Sequence, residues 1–409
     1  MDYRKRFSEI AEFLQPYQRI WQNEIMLMYP DPLADYPLEW VEELAAIRNK
    51  DQILQLERKE FSGLIKNPSL ISFYQKIEDL SSTPRMPDLP PLQADASTYL
   101  YMIPKKQHEI KTLAPFINSF YHTLNGTGIL DIGGGIGLLA HSLVHHYHLP
   151  VQSVDMDPDL QKTGKKRYQD VVYKNVKVSS ESEEFNQILN SGMITIGLHT
   201  CGPLANEQMK SSIKRGLKGL INFGCCYHRL THHQTDQNIS RYSQSLAYQV
   251  VQNNYSLTLA SRAHRKMSEK EYEFKIKVKF YRYAMHFLLH DEYNLPEMVT
   301  LGNSTLKLYE ESFGTYALEQ FTRINLKTRH TKEELDFYFS EYHRQDLIWK
   351  MLAASFLRNA LGRLLELYIL LDRVIFLEEQ GYEVRLLEFF EESISPRNLG
   401  IVAKSKEKS

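Results

Sequence analysis

The stretch "GILDIGGGIGLLAHSLVHHYHLPVQSVDMDP", residues 128–158, decides the fold. It opens on a short apolar run, passes through a glycine turn, and continues into a segment with helical spacing. A second short apolar run then ends in acidic residues. Strand, turn, helix and strand in this order make one β-α-β unit of a parallel sheet. Glycines in the turn permit unusual dihedrals and let a ligand approach the backbone at a helix N-terminus.

The pattern continues downstream. A basic polar segment, "DLQKTGKKRYQ" (159–169), reads as a helix, and "YKNVKVS" (173–179) holds a strand. "MITIGLHTCG" (193–202) and "GLINFGCCYH" (219–228) are two further apolar strands, each ending in polar and sulfur-bearing residues. The expected fold is α/β, with a doubly wound sheet built over residues 94–229. Before it, residues 1–93 form a helical lobe, with Trp40, Leu44, Ile47 and Ile53 on one stripe, closed by the Pro-rich linker "SSTPRMPDLPPLQ". After it, residues 230–346 read as a Tyr-rich insertion. Residues 347–409 return to the core as one long helix, stopped by Gly381, and two strands.

Bulk composition narrows the function classes. The chain has 409 residues, is 43% hydrophobic and 24% charged, and carries a net charge of -1, which argues against whole-chain attraction to nucleic acid or membrane. Three cysteines cannot build a disulfide framework, the start of the chain does not read as a signal peptide, and no apolar run spans a bilayer. A cytoplasmic protein is expected, with no membrane partner.

Asp131, Gly133, Gly135 and Gly137 stand in a D-x-G-x-G-x-G spacing. About twenty residues on, at the end of the second strand, Asp155 can accept both hydroxyls of a ribose. Dinucleotide enzymes space their third glycine one residue further. Asp157 and Asp159 read as helix N-terminal acids. Ligands of open parallel sheets bind outside the carboxyl ends of the strands. The fourth strand therefore brings His199 and Cys201 to the site, and the fifth brings Cys225, Cys226, Tyr227 and His228. His199 or His228 would serve as a general base, and Tyr227 would position a planar substrate. The cysteines serve the substrate or pack, and at least one of Cys225 and Cys226 only packs. A zinc site drawn from Cys201, Cys225, His199 and His228 is disfavoured, because adjacent residues rarely ligate one tetrahedral ion; no metal is expected. His232, His233 and the histidines of 141–148 read as surface or helix-face residues.

The glycine spacing with its leading acid looks like the motif of class I S-adenosylmethionine-dependent methyltransferases. More specifically, "IPKKQHEI" (103–110), "DIGGGIGLL", "GLHTCGPLA", "GCCYHRL", "LLDRVIFLEEQG" and "SPRN" occur in an order that resembles the methyltransferase-like protein twenty-five family, whose relatives include proteins labelled ribosomal RNA adenine dimethylase domain-containing. The resemblance covers about residues 100–404. It implies a Rossmann-like class I methyltransferase sheet with an N-terminal helical lobe and a large insertion after the fifth strand. It also implies S-adenosyl-L-methionine as cofactor, held by Asp131, Gly133, Gly135, Gly137 and Asp155, with Lys105, Lys106, His108 and Glu109 placed to close over it. "HTCG" stands where amino-methylating enzymes carry N/D-P-P-Y, which weighs against adenine amino methylation. RNA is the favoured acceptor, contacted by "KTGKKR", "SRAHRK" and the aromatics of the insertion. A protein or small-molecule acceptor, or a catalytically silent cofactor-binding protein, are the alternatives.

Overall fold

A computed structural model describes residues 2–57, 60–61, 63–93, 102–230, 237–262, 268–295, 297–299, 301–302 and 304–406. Its centre is one seven-stranded sheet: β1 (Gly128–Ile132), β2 (Val151–Asp155), β3 (Val172–Asn175), β4 (Met193–Cys201), β5 (Gly219–Cys225), β6 (Tyr382–Glu388) and β7 (Leu399–Ser405). The strand order is β3-β2-β1-β4-β5-β7-β6, with β7 antiparallel to both neighbours and the rest parallel. This is the Rossmann-like arrangement expected. β1 and β5 are buried along their whole length, as parallel strands covered on both faces must be. The order reverses between β1 and β4, so the crevice for a ligand opens beyond the carboxyl ends of those two strands.

The chain forms two compact units. One comprises residues 1–16, 79–265 and 362–409; the other comprises 17–78 and 266–361. The expected helical lobe is therefore divided. In the first unit the Tyr3–Leu14 helix packs on the Gly362–Glu379 helix, with Phe7 stacked on Tyr368 at 4.3 Å. The Pro-rich stretch is not a free linker: Met86 donates its N–H to the Glu388 carbonyl, Glu388 donates to that of Pro84, and Leu92 is buried in the core. Proline lacks a donor but not an acceptor, so such a stretch can still run beside a strand edge.

In the second unit the Leu38–Ala46 helix packs against the Tyr342–Ala360 helix. The buried Arg358 donates to the Asn23 carbonyl and pairs with Glu24. The Tyr-rich segment turns its rings inward. Phe313 stacks on Phe339 at 4.8 Å, and Tyr281 lies 5.3 Å from Tyr316 and 5.5 Å from Phe313. Tyr255 and Phe337 are the exposed aromatics among the described residues of 230–346. The expected base-stacking aromatics are thus mostly core residues, which is what large rings do when they have one another to pack on.

The long C-terminal helix is in fact two, Tyr342–Ala360 and Gly362–Glu379. Leu361 donates to Arg358 in a tight i→i+3 bond that interrupts the ladder. A Cβ at Gly362 would lie 3.1 Å from the Leu259 carbonyl, so glycine allows that close approach. Gly381 ends the second helix with φ 84, as expected of a left-handed terminator.

That second helix is buried and polar on one side. Asp372 accepts the N–H groups of Ile239 and Ser240, and the Ser240 hydroxyl at 2.6 Å. Ser240 also caps the Arg241–Ser245 helix through the Ser243 N–H. Ser240→Ala is expected to cost about 1 kcal/mol, read as a lower denaturant midpoint at unchanged slope. An unchanged midpoint would show that this buried contact contributes nothing.

No helix among the described residues is long and apolar enough to cross a membrane.

Candidate functional site

The turn after β1 is set by three glycines in left-handed backbone: Gly133 at φ 68, Gly135 at φ 57 and Gly137 at φ 81. Side chains strain that conformation, and here they would also collide. A Cβ on Gly137 would meet the Tyr173 hydroxyl at 2.6 Å, and one on Gly134 would meet Ser153 Oγ at 2.3 Å and Asp131 Oδ2 at 2.7 Å. At Gly135 the nearest atom to such a Cβ is 3.8 Å away, so backbone is open to a ligand there.

The N–H groups of the four glycines are not free for that ligand. Those of Gly133 and Gly134 donate to the Val154 carbonyl, that of Gly137 to the Gly134 carbonyl, and that of Gly135 to Asp155 Oδ2 at 2.9 Å. The loop therefore offers close approach rather than glycine amide donors. Asp155 holds the loop to β2, and its Oδ1 accepts the Asp157 N–H at 2.9 Å. Each carboxylate oxygen accepting one bond retains capacity for another. Asp157 caps the Pro158–Arg167 helix through the Asp159 and Leu160 N–H groups, as its position predicts.

Asp131 sits behind this loop, 2% exposed, with Oδ2 lacking any hydrogen-bond partner. Ser153 Oγ, on the neighbouring strand, lacks one too. Burial pushes the Asp131 carboxyl up to about 7, against the opposing charge of Lys106 and the Ala140 N–H. One oxygen of this carboxyl is therefore unsatisfied beside a cradle that carries no side chains.

A second cluster lies at the end of β4. Pairing with β5 is irregular between Leu198 and Thr200, and His199 takes φ 67. Such left-handed backbone costs free energy in a non-glycine residue and concentrates at functional sites. His199 Nε2 lies 2.8 Å from Glu109 Oε1, on the Pro104–Thr123 helix. The same carboxyl oxygen accepts the Ser395 hydroxyl at 2.7 Å, and Lys105 and Lys106 lie 3.6 and 3.5 Å from Glu109. Burial alone would raise Glu109. His199, Lys106 and Ser395 outweigh burial and hold the carboxyl at about 2. An ionised Glu109 only accepts, so His199 Nε2 carries the proton and its Nδ1 is the ring atom left to act as a base.

Lys105, Lys106 and Glu109 thus meet His199 and Ser395 in one cluster and are not a solvated helix start. His108 does not. Its Nε2 accepts the Glu391 N–H at 3.2 Å and its ring packs near Phe390, so it joins the helix to the end of β6. Tyr227 is also displaced from the expected role. It is 1% exposed, with its hydroxyl 3.2 Å from Glu366, in a buried network where Arg363 and Arg397 also bind Glu366 and Arg363 binds Asn398. His228 is exposed on the turn after β5, and its backbone N–H donates to Ser261. His232 and His233 lie outside the described residues. Ser395 was missed among the site residues, although it begins "SPRN", which supplies Ser395 to Glu109 and Arg397 and Asn398 to the Glu366 network. Those partners lie far away in the chain, so no local signal assigns them.

The three cysteines converge. Cys201 and Cys225 are paired across β4 and β5 with their sulfurs 3.3 Å apart, and the Sγ atoms of Cys201, Cys225 and Cys226 all lie within 4.8 Å of one another. Donation from the Cys225 thiol lowers Cys201 well below the ordinary range and raises Cys225 in turn. Among the other described residues, His141, His145 and Asp170 also cluster, with His141 Nδ1 2.9 Å from Asp170 on the outer face of the Leu138–Tyr147 helix.

Residues 105–233 match the family model described as "Methyltransferase domain". The chain is 24% identical over 230 residues to the "Probable methyltransferase-like protein 25" of Mus musculus, which covers 52% of this chain and 38% of that protein. It is 23% identical over 229 residues to the Homo sapiens protein of the same name, covering 52% of this chain and 37% of the relative. The matches span less than two fifths of the length of these curated relatives. No solved structure matches significantly. Residues 105–233 are thus similar to a methyltransferase domain, and the chain resembles methyltransferase-like protein 25.

Proposed function

We propose that this chain is an S-adenosylmethionine-dependent methyltransferase with RNA as its acceptor. The observation that carries the cofactor reading is the charge of the glycine loop. Its glycine N–H groups are bonded within the protein, and two carboxylates, Asp131 and Asp155, flank it. A pyrophosphate needs donors and positive charge there. A ligand bearing an ammonium and a sulfonium needs the reverse. Gly133, Gly135 and Gly137 would admit it, Asp131 would face its positive charge, and Asp155 would take the ribose hydroxyls.

Bound S-adenosylmethionine supplies a methyl group on a positively charged sulfur. The protein must align the acceptor and remove its proton. His199 Nδ1 would take that proton, and ionised Glu109 would stabilise the imidazolium through Nε2. Ser395 and the two lysines would fix the Glu109 carboxylate in place.

RNA is supported by the Pro158–Arg167 helix. Lys162, Lys165 and Lys166 are exposed on it and line one cavity with Pro158, Gln161 and Asn175. Asn175 also binds the Asp155 carbonyl, so this basic cavity adjoins the second-strand acid. Phosphates would dock there by charge. Most of "SRAHRK" lies outside the described residues and adds nothing to this reading.

Calorimetry tests the donor: S-adenosylmethionine is expected to bind and NAD is not, and Asp155→Ala is expected to weaken binding by about 10-fold or more. Absence of binding to the pure protein overturns the reading. With labelled donor and a cell extract, label is expected in RNA; label confined to protein or small molecules moves the acceptor class.

A further inference from the structure

We propose that Cys201, Cys225 and Cys226 bind one zinc ion at the carboxyl ends of β4 and β5, with a fourth coordination position left open. The objection from sequence is that adjacent side chains in an extended strand point to opposite faces. The structure removes that objection. β5 ends at Cys225, and Cys226 takes left-handed backbone at φ 49 and ψ 47, which turns its sulfur back toward its neighbour. Cys201 comes from the adjacent strand in direct register with Cys225.

The distances fit a single ion. Zinc–sulfur bonds of about 2.3 Å at tetrahedral angles place sulfurs ~3.8 Å apart. Here Cys201 and Cys225 are 3.3 Å apart, and the full set lies within 4.8 Å. Three soft sulfur donors select zinc over hard divalent cations. Among the described residues, the groups near enough to share the ion are these three thiols alone, so the fourth ligand comes from solvent or a bound molecule. Cys201 and Cys226 are partly exposed and Cys225 is buried, so the cluster has an outer side from which that ligand can enter.

Charge gives an independent argument. Arg373 is 2% exposed behind the cluster, bound by Nε to Asn206, while Nη1 and Nη2 have no hydrogen-bond partner. Its Nη1 lies 2.6 Å from where a Gly224 Cβ would be, one residue from Cys225. The Tyr227 ring, 5.7 Å away, and the charge of Asp372 act on Arg373, but neither gives Nη1 or Nη2 a hydrogen bond, and a buried guanidinium with those donors unmet is costly. Zinc with three thiolates carries one net negative charge, which would balance Arg373.

The site stands apart from the methyltransferase reading, because none of its evidence involves the glycine loop. The test uses the full chain, reduced, freed of metal with a chelator and titrated with Co2+ and then Zn2+. One equivalent of Co2+ is expected to give a sulfur-to-cobalt charge-transfer band with tetrahedral visible absorption, both lost on adding Zn2+. Cys201→Ser, Cys225→Ser and Cys226→Ser are each expected to lose that band. No charge-transfer band in the wild-type protein overturns the proposal, as does a band that survives Cys226→Ser unchanged. Alkylation of the unmodified protein covers variants that fail to fold. Zn2+ is expected to slow labelling of Cys201 and Cys226, and unchanged rates overturn the site. So does a Cys201–Cys225 disulfide that forms in place of metal uptake. S-adenosylmethionine binding in the same preparation reports separately on the donor site.

Discussion

Replacing Glu109 with glutamine is expected to lower methyl transfer by about 100-fold or more, with donor affinity changed by no more than a few-fold. The reason lies in the hydrogen bonds around one buried carboxylate. Glu109 is 1% exposed, accepts from His199 and Ser395, and lies beside Lys105 and Lys106. Glutamine keeps the shape but removes the charge and offers an amide donor in place of one acceptor. His199 can then turn its unprotonated nitrogen toward that amide and present a proton at Nδ1, the wrong tautomer for a base. The nitrogen shifts of His199 in a labelled protein would report that change directly. A Glu109→Gln protein with full methyl-transfer activity would remove the dyad from the mechanism. Equal losses of activity and donor binding would mean that Glu109 only supports the fold. The depressed Glu109 also links to pH. An aspartate or glutamate lowered in the folded state stabilises above its unfolded value of about 4.3, and that stability disappears as pH falls toward about 2.

The second large effect belongs to Asp131, and its pH dependence has the opposite sign. Folded Asp131 keeps its proton up to about 7, whereas an unfolded aspartate loses it at about 3.9. The folded state binds the extra proton between those values, so stability falls as pH rises through that window and stays reduced above it. Asp131→Asn is expected to stabilise the donor-free protein by about 4 kcal/mol near pH 8, with the difference vanishing near pH 4. Asparagine can keep the acceptor for the Ala140 N–H and direct its amide toward the unpartnered Ser153 hydroxyl. The same change should weaken S-adenosylmethionine binding, because the carboxylate that faces the positive ligand is gone. Calorimetry in buffers of differing ionisation heat supplies a sharper reading. Donor binding to the unmodified protein at about pH 6.5 should release close to one proton, and the Asp131→Asn protein should release none. Proton release that is unchanged in the variant would place the titrating group elsewhere.

The parallel sheet was legible because its signals are local. The apolar runs at 128–132, 151–155, 193–198 and 219–225, with glycine turns between them, specify strands through patterns only a few residues long. The spacing of Gly133, Gly135 and Gly137 announced a tight turn for the same reason, and all three adopt left-handed backbone. Division of the chain was harder to read. Residues 1–16 and 79–93 carry the same helical and proline-rich signals as their surroundings, yet they cluster with the sheet, and 17–78 clusters with 266–361. Sequence periodicity shows that an apolar face exists but not which distant face covers it.

The site divides along the same line. Residue order within one β-α-β unit was enough to reveal the glycine loop and the acids at 131 and 155. The same local reading marked the strand ends that carry His199 and the cysteines. How those groups are used was set by contacts that exist only in the folded chain. Folding brought Glu109 and Ser395, separated by 286 positions, onto one hydrogen bond, and it took Tyr227 and His108 out of the site into packing and cross-links. It also turned Cys226 back onto Cys225 and Cys201, a convergence set by one left-handed residue that strand alternation does not reveal. Local patterns fix where the backbone ends a strand; which groups meet there depends on packing between segments far apart in the chain.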